Sequence, residues 1–322
     1  GCARAFYWSV RSRSTRYADY LTEVATMRHS TQRALWLAFA FVSSGCTGER
    51  DQSGHVAPNV VALSATDGAF HAPDTIDAGW TNFRFTNHGT DIHYAHFVRL
   101  DSGRAVPELI AAYAEAIRTS GARPKWVTRF GGPGGAAPGD SSALTQYLEP
   151  GSYVLICPIE DLGGNPHFGK GEFRTLVVRP AGPDAPGPDA APTATASIRL
   201  LDYAFSVEGA LAAGDQTIRV TNAGAEPHDL VLLRLAPGIT AEEVVRAMNP
   251  ERARRTGEAA EPPPPFESLA TLEGGNAVIR SGMEVFFTTT LARGEYLILC
   301  MTTAPDGRSH IEHGMVQQVR VQ

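Results

Sequence analysis

An internal duplication constrains this chain more than any other feature. Asp67-x-x-Phe70 is followed nine residues later by Gly79; Asn87 stands 17 residues after Phe70 and His93 six after Asn87. Asp202-x-x-Phe205, Gly214, Asn222 and His228 repeat those steps. Gly131-Gly132, Gly139 and Cys157 return as Gly274-Gly275, Gly282 and Cys300, with steps of 7 and 18 residues from the second glycine. So many matched positions identify two copies of one unit. Each copy is about 120 residues long, an ordinary domain size.

The copies read as strands. Thr81-Asn-Phe-Arg-Phe and Thr217-Ile-Arg-Val-Thr alternate polar and apolar residues, the period of a half-buried strand. His228-Asp-Leu-Val-Leu-Leu-Arg-Leu and Gly294-Glu-Tyr-Leu-Ile-Leu are more apolar, as central strands are. One helix is predicted inside each copy. In the first, residues 107–118 place Leu109, Ile110, Tyr113 and Ile117 on one face. In the second, Thr240-x-x-Glu243 forms a capping box ahead of Val244, Val245 and Met248. Roughly eight short strands per copy, separated by turn residues, predict an all-β fold of two tandem Greek-key β-sandwiches, each with an inserted helix. The expected divisions are 59–179 and 198–322. Residues 180–197, rich in Pro and Ala, join them as a stiff spacer.

The N-terminus reads as a targeting segment. Residues 1–26 precede the first methionine and are set aside as an upstream extension. Residues 27–45 read as a signal peptide, with Arg28 and Arg33 ahead of the apolar stretch 34–42 and Ser43-Ser44-Gly45 ahead of Cys46. This resembles a bacterial lipoprotein signal, with Ser43 where Leu is usual. The resemblance implies lipidation of Cys46, a membrane partner reached through the lipid, and a periplasmic or cell-surface location. Plain secretion and a buried N-terminal helix are the alternatives. Residues 46–58 would be the tether. The formal charge of −6 argues against a nucleic-acid partner, since phosphate contacts need a basic face. Four cysteines are too few for a disulfide scaffold of this length.

The repeat continues past each cysteine. Cys157-x9-His167-x4-Glu172 matches Cys300-x9-His310-x4-Met315. With the upstream histidines this gives His228, Cys300, His310 and Met315 in the second copy, and His93, Cys157, His167 and Glu172 in the first. A thiolate, two imidazoles and a weak thioether are the donors of an electron-transfer copper site. Glu172 is a hard donor that disfavours Cu(I), so the first copy would bind copper differently, bind another metal, or be empty. His313 rivals His310, but its counterpart is Lys170, whereas His310 matches His167. His96, three residues from His93, falls on the opposite strand face. His55, His71 and His88 have no repeat partner and read as surface residues.

The second copy resembles the cupredoxins, the blue type 1 copper family that includes plastocyanin. Gly294-Glu-Tyr-x-x-x-Cys300, His310-x4-Met315 and Gly314-Met315-Val316-x-x-Val319-x-Val321 carry the likeness, with Asn222-x5-His228 upstream. It implies a β-sandwich and copper ligation by the matching residues. Nine residues between Cys300 and His310 exceed the two to four of small cupredoxins. Loops almost this long occur in copper nitrite reductases, which also hold two such domains.

The function expected is therefore an extracytoplasmic copper-binding electron-transfer protein that passes electrons to a redox partner. Copper storage or delivery, and a metal-free binding or structural lipoprotein, are the alternatives. A copper enzyme is not expected, because no histidine flanks Cys157 or Cys300 to reach a second copper: the neighbours are Ile156 and Pro158, Leu299 and Met301.

Overall fold

The computed structural model describes residues 58–101, 103–119, 124–161, 165–248 and 264–322. The signal segment, Cys46, the tether and His55 lie outside them.

The first repeat runs β1 (Asn59–Thr66), β2 (Ala69–His71), β3 (Thr75–Asp77), β4 (Gly79–Asn87), β5 (His96–Leu100), α1 (Val106–Arg118), β6 (Val127–Arg129), β7 (Ser141–Leu148), β8 (Gly151–Ile156) and β9 (Phe173–Arg179). The second runs β10 (Ala196–Leu201), β11 (Ala204–Glu208), β12 (Gly214–Asn222), β13 (His228–Leu235), α2 (Ala241–Met248), β14 (Ala270–Ile279), β15 (Glu284–Leu291), β16 (Gly294–Leu299) and β17 (Val316–Val321). Among the described residues the regular structure is mostly strand, arranged as two β-sandwiches with one α-helix inserted in each.

Alternation decides which face each strand buries. In β4, Phe83 and Phe85 are fully buried while Arg84 between them is exposed. Phe83, Phe85, Phe97, Leu144 and Leu155 of the first repeat share one continuous core with Ile218, Leu230, Phe287, Tyr296 and Ile298 of the second. Each sandwich starts its cysteine strand on a repeated anchor: the hydroxyl of Tyr153 donates to the Glu149 carbonyl (3.0 Å), and that of Tyr296 to the Ala292 carbonyl (2.9 Å).

One layer of each sandwich belongs to a sheet that the repeats share. Its order is β11-β10-β12-β15-β7-β4-β1-β2, with the antiparallel pair β15–β7 at the junction. The other layers are separate, β3-β9-β8-β5-β6 in the first repeat and β14-β13-β16-β17 in the second. The junction has a local two-fold relation. Leu144, five residues after Gly139, and Phe287, five after Gly282, are the same repeat position and lie directly opposite each other. A second contact repeats this: Pro133 bridges Asn276, each one residue past its glycine pair. Gly131 N–H donates there to Val278 O (3.0 Å) and Ala277 N–H to Gly132 O (2.9 Å). Trp80 seals the edge, with its ring edge-on to Tyr147 and Phe286 and its indole N–H on Pro188 O (3.2 Å). The stretch expected to be a stiff spacer thus meets the first repeat at Pro188. Among the described residues no helix is long and apolar enough to cross a membrane.

Candidate metal centres

The duplicated Asp and Asn that mark the repeat prepare the upstream histidine. Buried Asn87 donates from Nδ2 to Asp91 O (2.7 Å) and Ala136 O (2.8 Å) and accepts from Gly89 N–H (2.8 Å). Asn222 does the same with Glu226 O (2.8 Å), Ile279 O (3.0 Å) and Gly224 N–H (3.0 Å). Each asparagine fastens the turn that delivers His93 or His228. Asp67 and Asp202 then bond to the Nε2 edge of those rings, both at 3.1 Å. That leaves Nδ1 of each ring for the centre, as outer carboxylates do for metal-bound imidazoles. Space explains the glycines between them. A Cβ on Gly89 would sit 2.3 Å from His93 Nε2, and one on Gly224 2.8 Å from His228 Nε2.

The downstream ligands come from one loop held identically in both repeats. Cys157 and Cys300 immediately follow β8 and β16. Cys300 N–H donates to Met315 O (3.3 Å), Met315 N–H to His310 O (2.9 Å) and His310 N–H to Thr302 O (2.8 Å). The counterparts are Cys157 to Glu172 (3.2 Å), Glu172 to His167 (3.1 Å) and His167 to Ile159 (2.7 Å). His310 and His167 each open a short 3₁₀ turn closed by a left-handed glycine, Gly314 or Gly171. The inserted helices clamp this turn through the residue after the histidine. Phe168 packs on Tyr113 of α1, and Ile311 shares a cluster with Val244 and Val245 of α2. Nothing in the helices' own sequence announces that task.

In the second repeat, His228 Nδ1 lies 3.0 Å from His310 Nδ1, and Cys300 Sγ lies 3.8 Å and 3.4 Å from them. All three residues are fully buried, as is Met315. In the first repeat, Glu172 Oε1 is 2.7 Å from His93 Nδ1 and Oε2 is 3.1 Å from His167 Nδ1, with Cys157 Sγ 3.6 Å from His167 Nδ1. The four donor atoms fall within 4.8 Å of one another. Yet His93 Nδ1 and both Glu172 oxygens make no hydrogen bond, although they are buried. At 2.7 Å and 3.1 Å these nitrogens and oxygens can share a proton, and the same convergence fits a cation between them. His313 stands outside: it pairs with Asp306 (3.1 Å) and stacks on Tyr203. His96 is buried on β5, in neither group, and His71 and His88 are exposed.

The surroundings tune the two centres differently. Burial opposes charge on His93, but Glu172 and Asp67 on its two sides outweigh that and raise its pKa. His310 is lowered, by burial and then by His228 beside it. Burial pushes both thiols well up, with Glu172 adding to it at Cys157 and Asp229 at Cys300. Asp229, next to His228, was not marked by the repeat because its counterpart is Tyr94. Its Oδ1 accepts from Cys300 Sγ (2.9 Å), Met301 N–H (2.9 Å), Thr302 N–H (3.0 Å) and Thr302 Oγ1 (2.8 Å). Tyr94 instead gives its backbone N–H to Cys157 Sγ (3.4 Å). Over the second centre, Tyr203 Oη donates to Glu226 Oε1 (2.8 Å), and Glu226 Oε2 meets His310 Nε2 (3.1 Å).

No family model matches the chain, and no curated protein does. Solved structures do. Auracyanin A, titled a "blue" copper protein, from Chloroflexus aurantiacus, is 19% identical, covering 38% of this chain and 100% of its own at TM-score 0.28. A multicopper oxidase is 14% identical over 85% of this chain and 92% of its own, TM-score 0.24. The copper nitrite reductase of Thermus scotoductus is 12% identical over 83% and 62%, TM-score 0.23. The fold is that of two tandem β-sandwiches, each with one pole of buried candidate ligands. Copper is the cofactor that the two-histidine, cysteine and methionine set of the second centre fits. The expectation that the chain is not an enzyme is corrected here: the structures that match across both repeats bear the titles of enzymes, an oxidase and a nitrite reductase. That expectation rested on residues adjacent to cysteine in sequence, which test only one way of wiring a second copper.

Proposed function

We propose that this chain is an extracytoplasmic copper redox protein whose second centre takes up and passes on single electrons. The observation that carries this reading is the convergence of His228, His310 and Cys300 within 3.8 Å, fully buried, at the pole where Met315 is also buried. Bound copper would supply a one-electron couple. The protein's part is to hold that geometry through the change of charge. Asp202 and Glu226 fix both imidazoles from behind. Asp229 pins the Cys300 loop through Met301 N–H, Thr302 N–H and Thr302 Oγ1, bonds that persist when the thiol loses its proton, so the thiolate moves little when charge changes. Burial excludes water that would otherwise add ligands. The segment 27–46 supports export and lipid attachment at Cys46, which would hold the protein at a membrane surface beside a redox partner.

The test is an optical spectrum after copper addition. An intense visible charge-transfer band lost in Cys300→Ser and kept in Cys157→Ser supports the reading. Equal loss in both variants, or no band at all, overturns it. Replacing Cys46 with Ser should free the protein from membranes, and retention would remove the anchor.

A further inference from the structure

The two centres differ at one ligand position in a way that changes buried charge. Glu172 stands where Met315 stands in the second repeat, and both are fully buried. Neither Glu172 oxygen has a hydrogen-bond donor, while each faces an imidazole Nδ1, at 2.7 Å and 3.1 Å. An ionised carboxylate buried there needs a cation, either a proton on a facing imidazole or a metal ion between the side chains. Cys157, also fully buried, must lose its proton to ligate any metal. The loaded first centre would then carry two negative ligands, the thiolate and the carboxylate, with two neutral imidazoles. The acids behind those imidazoles, Asp67 and Asp91, are about half exposed, so water screens them. A dication makes this ligand set neutral, whereas Cu(I) would leave a buried negative charge. In the second centre one thiolate neutralises Cu(I), and the nearby Asp229 charge is met by three donors, the N–H groups of Met301 and Thr302 and the Thr302 hydroxyl.

We infer that the first centre is selective for a divalent ion held at fixed charge, with zinc as the ion suited to all four donors, and that Glu172 sets this selectivity. Thiolate, imidazole and carboxylate are all ordinary zinc ligands, and four of them close a tetrahedral site. One chain would thus hold two unlike ions, a static dication in the first repeat and copper in the second. The inference rests on reading both clusters as metal centres, but not on the second being an electron carrier.

The test uses the full chain, stripped of metal and then given zinc together with Cu(I) under reducing conditions, with metals counted by elemental analysis and native mass spectrometry. One zinc and one copper per chain is expected, with zinc lost in Cys157→Ser and copper lost in Cys300→Ser. Glu172→Gln keeps the shape but removes the charge, and should weaken zinc at least tenfold. Glu172→Met should take up a second Cu(I) in place of zinc. Two Cu(I) ions in the unaltered chain, or zinc held equally by Glu172→Gln, overturns the inference while leaving untouched the visible band of the second centre, read after the copper is reoxidised to Cu(II) with ferricyanide. Loss of that band with one zinc retained would sink the electron-transfer reading and not this one.

Discussion

Tyr203 occupies the backbone position that Gly68 holds in the first repeat, each directly after the repeated aspartate. Gly68 takes φ 97° there without cost, while Tyr203 is the one non-glycine with positive φ among the described residues, at 65°. A bulky side chain in the left-handed region costs roughly 1–2 kcal/mol. What that strain secures is a cover: the Tyr203 ring stands edge-on to His310 and stacks on His313. We expect Tyr203→Gly to leave stability within about 1 kcal/mol, since relieved strain offsets lost packing. It should release copper to a chelator faster than the parent does. Tyr203→Phe keeps the ring and loses the bond to Glu226, so it should fall between them. Equal release rates in all three would show that the ring does not cover the site.

Asp229 should be the most sensitive residue outside the ligands. Asp229→Ala strands three buried or part-buried donors and the thiol at once, and we expect a loss of about 1–3 kcal/mol by urea unfolding. Asp229→Asn retains an acceptor and should fold nearly as well. With a negative charge removed beside Cys300, its copper should show a higher reduction potential, measured by redox titration.

The shared sheet predicts how the protein unfolds. Phe287→Ala removes a side chain only 1% exposed at the junction of the repeats, and we expect a cost of about 3–5 kcal/mol. Trp80 fluorescence and far-ultraviolet circular dichroism should report the same transition in the parent. Two separated transitions would mean that the junction carries little cooperativity.

Gly224→Ala should disable the second centre selectively. Its Cβ would meet Asp202 Oδ1 at 2.3 Å as well as the His228 ring. The variant should lose copper occupancy, read by metal analysis, while zinc uptake by the first repeat persists.

Asp306 provides a pH probe in the ligand loop. Hydrogen bonds from the Arg308 backbone and from His313 lower its pKa from 3.8 to about 2. A depressed carboxylate stabilises the fold above its ordinary pKa, and this is lost as pH falls from about 4 towards 2. An NMR titration of Asp306 in His313→Ala should find its pKa moved back up.

The side chains that cluster in each repeat could be read from sequence because they were duplicated at fixed spacing: Cys157 with Cys300, His167 with His310, His93 with His228. The same test discarded whatever differed between the copies. Asp229 and Tyr94, Tyr203 and Gly68, Glu226 and Asp91 occupy matched positions with unmatched residues, so comparison of the repeats passed over them. The junction was hidden for another reason. β7 and β15 each bury three consecutive residues, Leu144 to Gln146 and Val285 to Phe287, as strands covered on both faces do, but nothing in Ser-Ser-Ala-Leu-Thr or Glu-Val-Phe-Phe-Thr says that each is the other's neighbour.

That junction also says something about descent. Leu144 faces Phe287, and Pro133 faces Asn276, each pair one position seen twice. An interface in which a position meets itself is the kind that a single unit makes with its own copy, as two-fold homodimers do. The contact therefore needs no second, different surface to have arisen. A lone ancestor carrying one centre could have formed it by self-association, and joining the genes would have freed the two halves to diverge at Glu172, Tyr203 and Asp229.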